Sequence, residues 1–216
     1  MRTHDLIIIG GGSAGYAAAR TARDAGADVA IVDHGPLGGL CILRGCMPTK
    51  TILRSSEIMA LMARAKEFGI EPVTPRAILS QIVDRKDRLV REFAEDRIKA
   101  LHDTRFTLYQ DHARFLSPTT IQVGTQTLTA KAFVVATGSM PNRLAIPGLQ
   151  EVGTVTSDEI LDLRTQPASL LVLGGGFVAL ELGQFFARIG TQVTILQRGS
   201  HLLSDLDEDL GRVVET

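Results

Sequence analysis

Short apolar runs alternate along this chain with longer segments of helical periodicity. Asp5–Ile9 is apolar after its first residue, Val29–Val32 is apolar throughout, and Tyr16–Ala25 between them is rich in Ala and Arg. Runs of four or five apolar residues are typical of buried strands, and the order strand, helix, strand builds a parallel sheet. The pattern therefore predicts an α/β fold that begins with a βαβ unit.

The same order returns near the end of the chain. Leu170–Leu173 is apolar, Gly174–Gly176 follows, Phe177–Ile189 has helical periodicity, and Val193–Leu196 is apolar again. This internal duplication predicts a second βαβ unit of the same kind.

The pattern between the two units is more mixed. It predicts a loop over Gly35–Cys46 and two long helices over Thr49–Phe68 and Arg76–His102. It then predicts short alternating strands over Phe106–Leu128 and one more buried strand over Phe133–Ala136. A short helix over Ser157–Leu163 is expected to be capped by its first residue. The two units are expected to belong to a first domain over residues 1–150 and a second, truncated domain over 151–216.

Charge and hydropathy exclude several classes of partner. The 23 basic residues nearly balance 24 acidic ones, for a net charge of -1, so a nucleic acid is not expected. The first apolar run, Leu6–Ile9, is too short for a secretory signal, and Leu170–Leu180 is interrupted by glycines. We expect a soluble, cytoplasmic protein with no membrane segment.

The first glycine-rich segment has the spacing of a dinucleotide-binding turn. Gly10 permits the tight turn, Gly12 lets a pyrophosphate approach the backbone, and Gly15 allows close helix–strand packing. Asp33, at the end of the next predicted strand, is placed to accept hydrogen bonds from a ribose. Together with the flanking strand and helix, the segment predicts a nucleotide site formed by Gly10, Gly12, Ser13, Ala14, Gly15 and Asp33.

The second glycine-rich segment repeats this spacing with Gly174, Gly176 and Ala179 in the three small positions. The polar tip after its second strand is Gln197 followed by Arg198. A nearby Arg suits the 2′-phosphate of NADP, whereas an acid favours the free 2′-hydroxyl of NAD. Arg198 thus favours NADPH over NADH, and an ordinary surface role for this residue stays open.

The two cysteines lie five residues apart, at Cys41 and Cys46. Two cysteines without nearby histidines do not form a structural zinc site, so no metal is expected. A structural disulfide is rare in a reducing compartment, which leaves a transient, catalytic disulfide. Gly45 lets the chain fold back, and Cys46 precedes a predicted helix whose N-terminus stabilises a thiolate, with Arg44 as a further candidate.

These segments, in this order, resemble a known family. The run GGLC-x4-C-MPTK over residues 38–50 follows the first glycine motif, and Ala136–Pro141 (ATGSMP) and Ile146–Gly148 precede the second. The whole pattern is similar to the class I flavoprotein disulfide reductases, which include dihydrolipoamide dehydrogenase, glutathione reductase and mercuric reductase. The resemblance implies a Rossmann-like FAD-binding domain followed by the start of a Rossmann-like NAD(P)-binding domain.

The resemblance also implies an electron path. Electrons pass between NAD(P)H, FAD, the Cys41–Cys46 disulfide and an external disulfide or related acceptor, small or protein-bound. Cys46 would face the flavin and Cys41 would exchange with substrate. Lys50 would lie near the flavin and pair with Glu181, and Phe177 is either an aromatic gate over the flavin or a core residue.

Further positions carry over as cofactor-binding residues. The ADP half of FAD would be held by Gly10, Gly12, Gly15 and Asp33. Gly39 belongs to the cysteine motif, Thr137 and Gly138 would pass close to the FAD, and the nicotinamide cofactor's pyrophosphate would be held by Gly174, Gly176 and Ala179.

Two departures from the family pattern bear on function. Leu43 and Arg44 stand where the family usually has Asn and a small apolar residue, so the substrate is not specified. The family also continues beyond Thr216 into a dimerisation domain, so the parent protein is expected to be a homodimer.

Three hypotheses remain open. The chain is either part of a working reductase or a non-catalytic FAD-binding fragment. A related flavoprotein with two dinucleotide sites and no disulfide centre is the third hypothesis, against which the cysteine pair speaks strongly.

Overall fold

The computed structural model describes residues 2–103, 105–142 and 144–215. These residues form eight strands and seven α-helices, with one 3-10 turn at Ala65–Phe68. The strands are β1 (Arg2–Ile9), β2 (Val29–Val32), β3 (Thr107–Tyr109), β4 (Ala113–Ser117), β5 (Thr120–Val123), β6 (Gln126–Val135), β7 (Ser169–Leu173) and β8 (Gln192–Leu196). The helices are α1 (Ser13–Asp24), α2 (Gly39–Leu43), α3 (Cys46–Ala63), α4 (Leu79–Leu101), α5 (Ser157–Ile160), α6 (Phe177–Arg188) and α7 (Glu208–Glu215).

The chain divides into two compact units. The first unit comprises Met1–Met47 and Val90–Asn142, and the second comprises Pro48–Leu89 and Arg143–Thr216. Each unit contains one glycine-rich βαβ segment. The assignment of an FAD domain to residues 1–150 and an NAD(P) domain to 151–216 stays a prediction.

The first unit is built on a six-stranded sheet in the order β3-β2-β1-β6-β5-β4. Strands β3, β2, β1 and β6 are parallel, with Ile8 of β1 paired to Ile31 on one side and Val134 on the other. This arrangement confirms the predicted α/β class and its parallel sheet.

Buried aliphatic side chains cover both faces of this sheet. On one face, Ile8 and Ile31 are fully buried together with Ala19 of α1 and Leu101 of α4. On the other face, Ile7 packs in a cluster with residues of β5 and β6. A parallel sheet covered on both faces needs apolar residues at consecutive positions, which explains the uninterrupted runs in the sequence.

Strand β6 is longer than the sequence predicts. Two separate strands were expected around residues 129–132, but Gln126–Val135 is continuous. Its first residues pair antiparallel with β5, as Leu128 does with Ile121, and its later residues pair parallel with β1, as Phe133 does with Ile7. Hydrogen bonding to neighbours on both sides keeps the polar middle of the strand extended.

The second unit contains a two-stranded parallel sheet of β7 and β8. Helix α6 buries Leu182, Phe185 and Phe186 in one core cluster, which Leu170 and Val193 also contact. On alternate positions of the strands, the side chains of Leu171, Leu173 and Leu196 are exposed. Alternation along a strand places these leucines on the opposite face of the sheet.

The predicted loop at Gly35–Cys46 is wrong in part, because it contains the short helix α2. The next helix starts at Cys46 rather than at Thr49. Pro48 was interpreted as lying before the helix, but a proline fits in the first helical turn, where backbone N–H groups have no intrahelical acceptor.

Two further expectations differ from the structure. Helix α5 is capped by Thr156 rather than Ser157, since Asp158 N–H donates to Thr156 Oγ1 (3.3 Å) and the Glu159 carboxylate accepts from Thr156 N–H. This reciprocal capping box requires Glu three residues after the cap, a spacing that Thr156 satisfies. Helix α7 was not predicted.

Candidate functional site

The first glycine turn is closed by close backbone contacts. Gly10 has φ +106°, and its N–H donates to Val32 O (2.8 Å). A Cβ on Gly10 would lie 2.2 Å from Ala136 O, and a Cβ on Gly15 would lie 1.8 Å from Gly10 O. Side chains at these two positions would collide with backbone atoms, so the turn requires glycine.

Asp33 is held against this turn by two backbone donors. Its Oδ2 accepts from Gly11 N–H (2.6 Å) and its Oδ1 accepts from Gly35 N–H (2.7 Å). Each carboxylate oxygen keeps a further lone pair, so the side chain can still accept a hydrogen bond from a sugar hydroxyl.

The N-terminus of α1 opens from the same turn. Gly12 is its N-cap without a side-chain hydrogen bond, and the first helical turn contains no acidic residue. The unpaired N–H groups and the positive end of the helix dipole favour an anion here. Ser13 and Ala14, which begin the helix, are exposed.

A cavity in the first unit brings together predicted residues that are distant in sequence. Gly12, Asp33, Gly39, Thr137 and Gly138 all line it, as does Gly10. The residues Gly39, Leu40 and Leu43 of α2 form part of its wall. The start of α2 packs directly on the glycine turn, because a Cβ on Gly39 would lie 2.4 Å from Gly12 Cα.

The two cysteines flank a tight bend after α2. Cys41 lies within α2 and is half-buried, whereas Cys46 is the first residue of α3 and is exposed. Gly45 lies in the bend, where a Cβ would be 3.1 Å from Leu40 O. The chain therefore turns sharply between the cysteines, as the glycine predicts.

A pair of histidines that sequence reasoning missed lies beside Asp33. The rings of His34 and His112 are stacked, with centroids 4.4 Å apart and planes 14° from parallel. His34, Asp111 and Ala113 line the cavity. No local signal connects the two histidines, which come together only because the chain between them returns to the same edge of the sheet.

The second glycine turn repeats the backbone of the first. Gly174 has φ +105°, and its N–H donates to Leu196 O (2.8 Å). Gly175 N–H donates to Gln197 Oε1 (3.0 Å), while Gln197 Nε2 donates to Ser204 Oγ (3.0 Å). Arg198 follows and is exposed.

Gln197 is the first residue of the predicted polar tip, but its hydrogen bond to the second glycine turn was not predicted. It occupies the place that Asp33 has in the first turn. The signal was present, because both acceptors lie 22 residues after the glycine whose N–H they accept.

The remaining predicted residues of the second unit lie on α3 and α6. Lys50 Nζ donates to Glu181 Oε1 in an ion pair that joins these two helices. Phe177, the first residue of α6, is 63% exposed, so the alternative of a core residue is wrong. Gly176 is the N-cap of α6, and Ala179 lies half-buried in its first turn.

The described residues contain neither a membrane-spanning helix nor a cluster of metal-binding side chains. None of the helices there combines the length and the apolar character needed to cross a membrane. Within the same ranges, no three His, Cys, Asp or Glu side chains are grouped to hold a metal ion.

Residues 4–216 match the family described as pyridine nucleotide-disulphide oxidoreductase. The match covers nearly the whole chain, and the two glycine turns and the cysteine pair occur in the order described above. The chain belongs to this family.

Relatives with similar sequences carry three different names. A mercuric reductase from Staphylococcus aureus is 39% identical over 213 residues, which cover 98% of this chain and 39% of the relative. A dihydrolipoyl dehydrogenase from Acholeplasma laidlawii is 32% identical, and a glutathione reductase from a Nostoc strain is 33% identical. The chain covers 64% and 45% of these two relatives, so it spans only part of their length.

Solved structures show the same fold. The Cu(II) complex of the HOCl-induced flavoprotein disulfide reductase RclA from Escherichia coli superposes with a TM-score of 0.81 at 27% identity, over 97% of this chain and 45% of that one. A mutant of the same protein gives a TM-score of 0.82 at 26% identity.

Proposed function

We propose that this chain provides the FAD site and the redox-active cysteine pair of an NAD(P)H:disulfide oxidoreductase. One observation carries the proposal: α2, which contains Cys41, forms part of the wall of the cavity at the first glycine turn. A dinucleotide bound in this cavity would therefore lie against the helix of a reactive thiol.

The residues present fit the ADP half of FAD. The glycine turn leaves room for phosphate because side chains are excluded from it, and the α1 N-terminus favours negative charge. Asp33 would accept hydrogen bonds from the ribose, with Gly39, Thr137 and Gly138 around the cofactor. When bound, FAD would supply the two-electron chemistry that connects a nicotinamide with a disulfide.

The cysteines would carry out thiol–disulfide exchange. The Cys41 thiolate attacks one sulfur of an external disulfide, which releases one thiol and leaves a mixed disulfide. Cys46, at the N-terminus of α3, then attacks the Cys41 sulfur, so that the second substrate thiol leaves and a Cys41–Cys46 disulfide forms. Overall, NAD(P)H and one proton restore the two cysteine thiols as NAD(P)⁺ forms.

The second glycine turn would hold the nicotinamide cofactor. Gly174, Gly176 and Ala179 would lie along its pyrophosphate. Lys50, paired with Glu181, would lie near the flavin, as the family resemblance implies. We propose NADPH rather than NADH, because the acceptor that closes this turn is the neutral Gln197 and Arg198 follows it.

The physiological setting follows from the same chemistry. We propose a small-molecule or protein-bound disulfide as substrate, a homodimeric parent protein and a role in cytoplasmic redox homeostasis. A pair of thiols that must be reduced again after each turnover suits a reducing compartment.

A second candidate function is FAD binding without turnover by these 216 residues. The exposed leucine face of β7 and β8 favours it, because the second unit leaves Leu171 and Leu196 more than half exposed. The sheet of the first unit, in contrast, has buried residues on both faces, so the proposed FAD site belongs to the better packed unit.

The visible spectrum of the purified chain tests the proposal. After loading with FAD and anaerobic addition of dithiothreitol, we expect a long-wavelength charge-transfer band from the Cys46 thiolate. Cys46→Ser should abolish the band, whereas the matched variant Cys41→Ser should keep it. A band that survives in Cys46→Ser contradicts the proposed assignment of the thiols.

Activity separates the two candidate functions. Steady oxidation of NADPH with a disulfide acceptor by the chain would exclude the second candidate. A flavin spectrum without turnover would support it.

A further inference from the structure

Arg44 follows α2 and lies between the two cysteines in sequence. It is the C-cap of that helix, and its N–H donates to Leu40 O (2.9 Å). Its side chain is exposed and lines the cavity of the first glycine turn together with Gly12 and Gly39. The sequence suggests a role beside the Cys46 thiolate, and the structure places Arg44 in the wall of the cavity as well.

The charges around this cavity are unusual for a site that holds an anion. Two carboxylates, Asp33 and Asp111, line it, and Arg44 is its one Lys or Arg within the described part of the chain. Asp33 is occupied by two backbone donors, and Asp111 accepts from His112 N–H (2.7 Å). A pyrophosphate in this cavity would be repelled by both carboxylates, so a cation in the same wall would favour its binding.

Arg44 is chemically suited to bind a phosphate group. A guanidinium is always charged and presents planar N–H donors that match phosphate oxygens. The partial charges at the α1 N-terminus are shared among several N–H groups, whereas Arg44 brings a full charge to the same cavity.

We propose that Arg44 is a phosphate-binding residue that recognises the pyrophosphate of a nucleoside diphosphate in this cavity. The inference rests on the proposed function, since it assumes that the cavity binds the ADP half of a dinucleotide. Arg44 is then a determinant of cofactor affinity, and the cysteine motif itself contributes to retention of the cofactor.

Binding of ADP and of adenosine by the purified chain separates the possible roles of Arg44. Adenosine has the same base and ribose but no phosphate. In titration calorimetry, Arg44→Met should weaken ADP binding by about 10-fold, the scale for loss of one hydrogen bond to a charged group, and leave adenosine affinity unchanged. Arg44→Lys, which keeps the charge, should recover part of the ADP affinity.

Arg20→Met is the matched control. Arg20 is exposed on α1, does not line the cavity, and its replacement makes the same change in net charge. It should leave both affinities unchanged. Far-UV circular dichroism of each variant verifies that the fold is retained.

Each outcome decides the inference. If Arg44→Met binds ADP as tightly as the wild type, or loses ADP and adenosine affinity equally, Arg44 does not bind phosphate. If wild-type chain binds neither ADP nor FAD, the proposed function fails and the inference fails with it. The two failures are distinguishable because only the second affects the wild type.

Discussion

The two glycine turns have the same backbone but different surroundings. Gly10 and Gly174 have φ values of +106° and +105°, and each donates its N–H to the last residue of the neighbouring parallel strand at 2.8 Å. A Cβ on Gly10 would meet Ala136 O at 2.2 Å, whereas a Cβ on Gly174 would have no heavy atom within 4 Å. The local sequence sets the turn, and the neighbouring strand decides how tightly it is enclosed.

The third small position shows the same difference. Gly15 lies so close to Gly10 that a Cβ would be 1.8 Å from its carbonyl oxygen, while the second turn carries Ala179 at this place. The side chain that closes each turn also differs, since Asp33 carries a charge and Gln197 does not. The first turn is therefore the more constrained of the two.

The largest effect is expected from exchanging the third small residue between the turns. Gly15→Ala should lower the free energy of unfolding by about 3 kcal/mol, because backbone must move to admit the methyl group. Ala179→Gly should lower it by only about 1 kcal/mol, the loss of helix propensity. Urea denaturation followed by circular dichroism measures both.

The comparison is decided by which of these two variants loses more free energy of unfolding. Equal destabilisation would mean that the first turn is no more tightly packed than the second. Ala14→Gly is the control for loss of a methyl group on α1, because Ala14 is exposed. Ala19, also on α1, is fully buried and is unsuitable as a control.

A smaller effect is expected from isosteric changes to the two acceptors. Asp33→Asn leaves one oxygen for two backbone donors, so one N–H loses its acceptor at a cost of about 2 kcal/mol. Gln197→Glu keeps the acceptor for Gly175 and loses a donor to Ser204, whose hydroxyl can turn and donate instead. It also loses the longer hydrogen bond to His201 O (3.4 Å). We expect a loss of about 1 kcal/mol or less for Gln197→Glu.

Thermal unfolding at neutral pH compares the two acceptor variants. If Gln197→Glu were the more destabilising change, the amide of Gln197 would hold its turn more strongly than the carboxylate of Asp33 holds the first.

The smallest effect is expected on the stability of the fold at acidic pH. Hydrogen bonds from the Arg105 side chain and backbone lower the pKa of Asp103, in the first unit, from 3.8 to about 2. A lowered pKa means that the ionised form stabilises the fold above about pH 4, and that this contribution is lost as the pH falls through about 2. Asp103→Asn should therefore flatten the fall in stability between pH 4 and pH 2.

Glu159 in the second unit provides the counterpart. The Thr156 backbone N–H lowers the pKa of this carboxyl as well, so Glu159→Gln should also flatten the acid limb, beginning below its ordinary value of 4.5. Urea midpoints measured at several pH values test both variants. An acid limb identical to that of the wild type in Asp103→Asn would show that the Arg105 contact does not form in solution.

Several elements were predictable because their signals are local. Val29–Val32 was predicted with its bounds, and α6 was predicted to within one residue. Apolar runs and glycine stops depend only on neighbouring residues. By contrast, α2 was missed, since a five-residue helix beside glycines carries too little periodicity to be recognised.

The site was predictable to a different degree. The sequence predicted that Gly10, Gly12 and Asp33 come together, because a parallel βαβ unit brings them to one edge of the sheet, and all three line one cavity. It did not place Arg44 in the same cavity, since that depends on how α2 packs on the turn. The stacking of His34 on His112 likewise depends on contacts between distant segments.

The sequence by itself determined the two βαβ units, their glycine turns and the cysteine pair, because each depends on residues within about twenty positions of one another. Tertiary structure alone decided that β6 encloses the first turn and that α2 walls its cavity. The ion pair between Lys50 and Glu181, by contrast, was expected from the family resemblance and is present in the structure. The physical reason is that strand pairing and helix packing bring together residues whose separation along the chain carries no periodic signal.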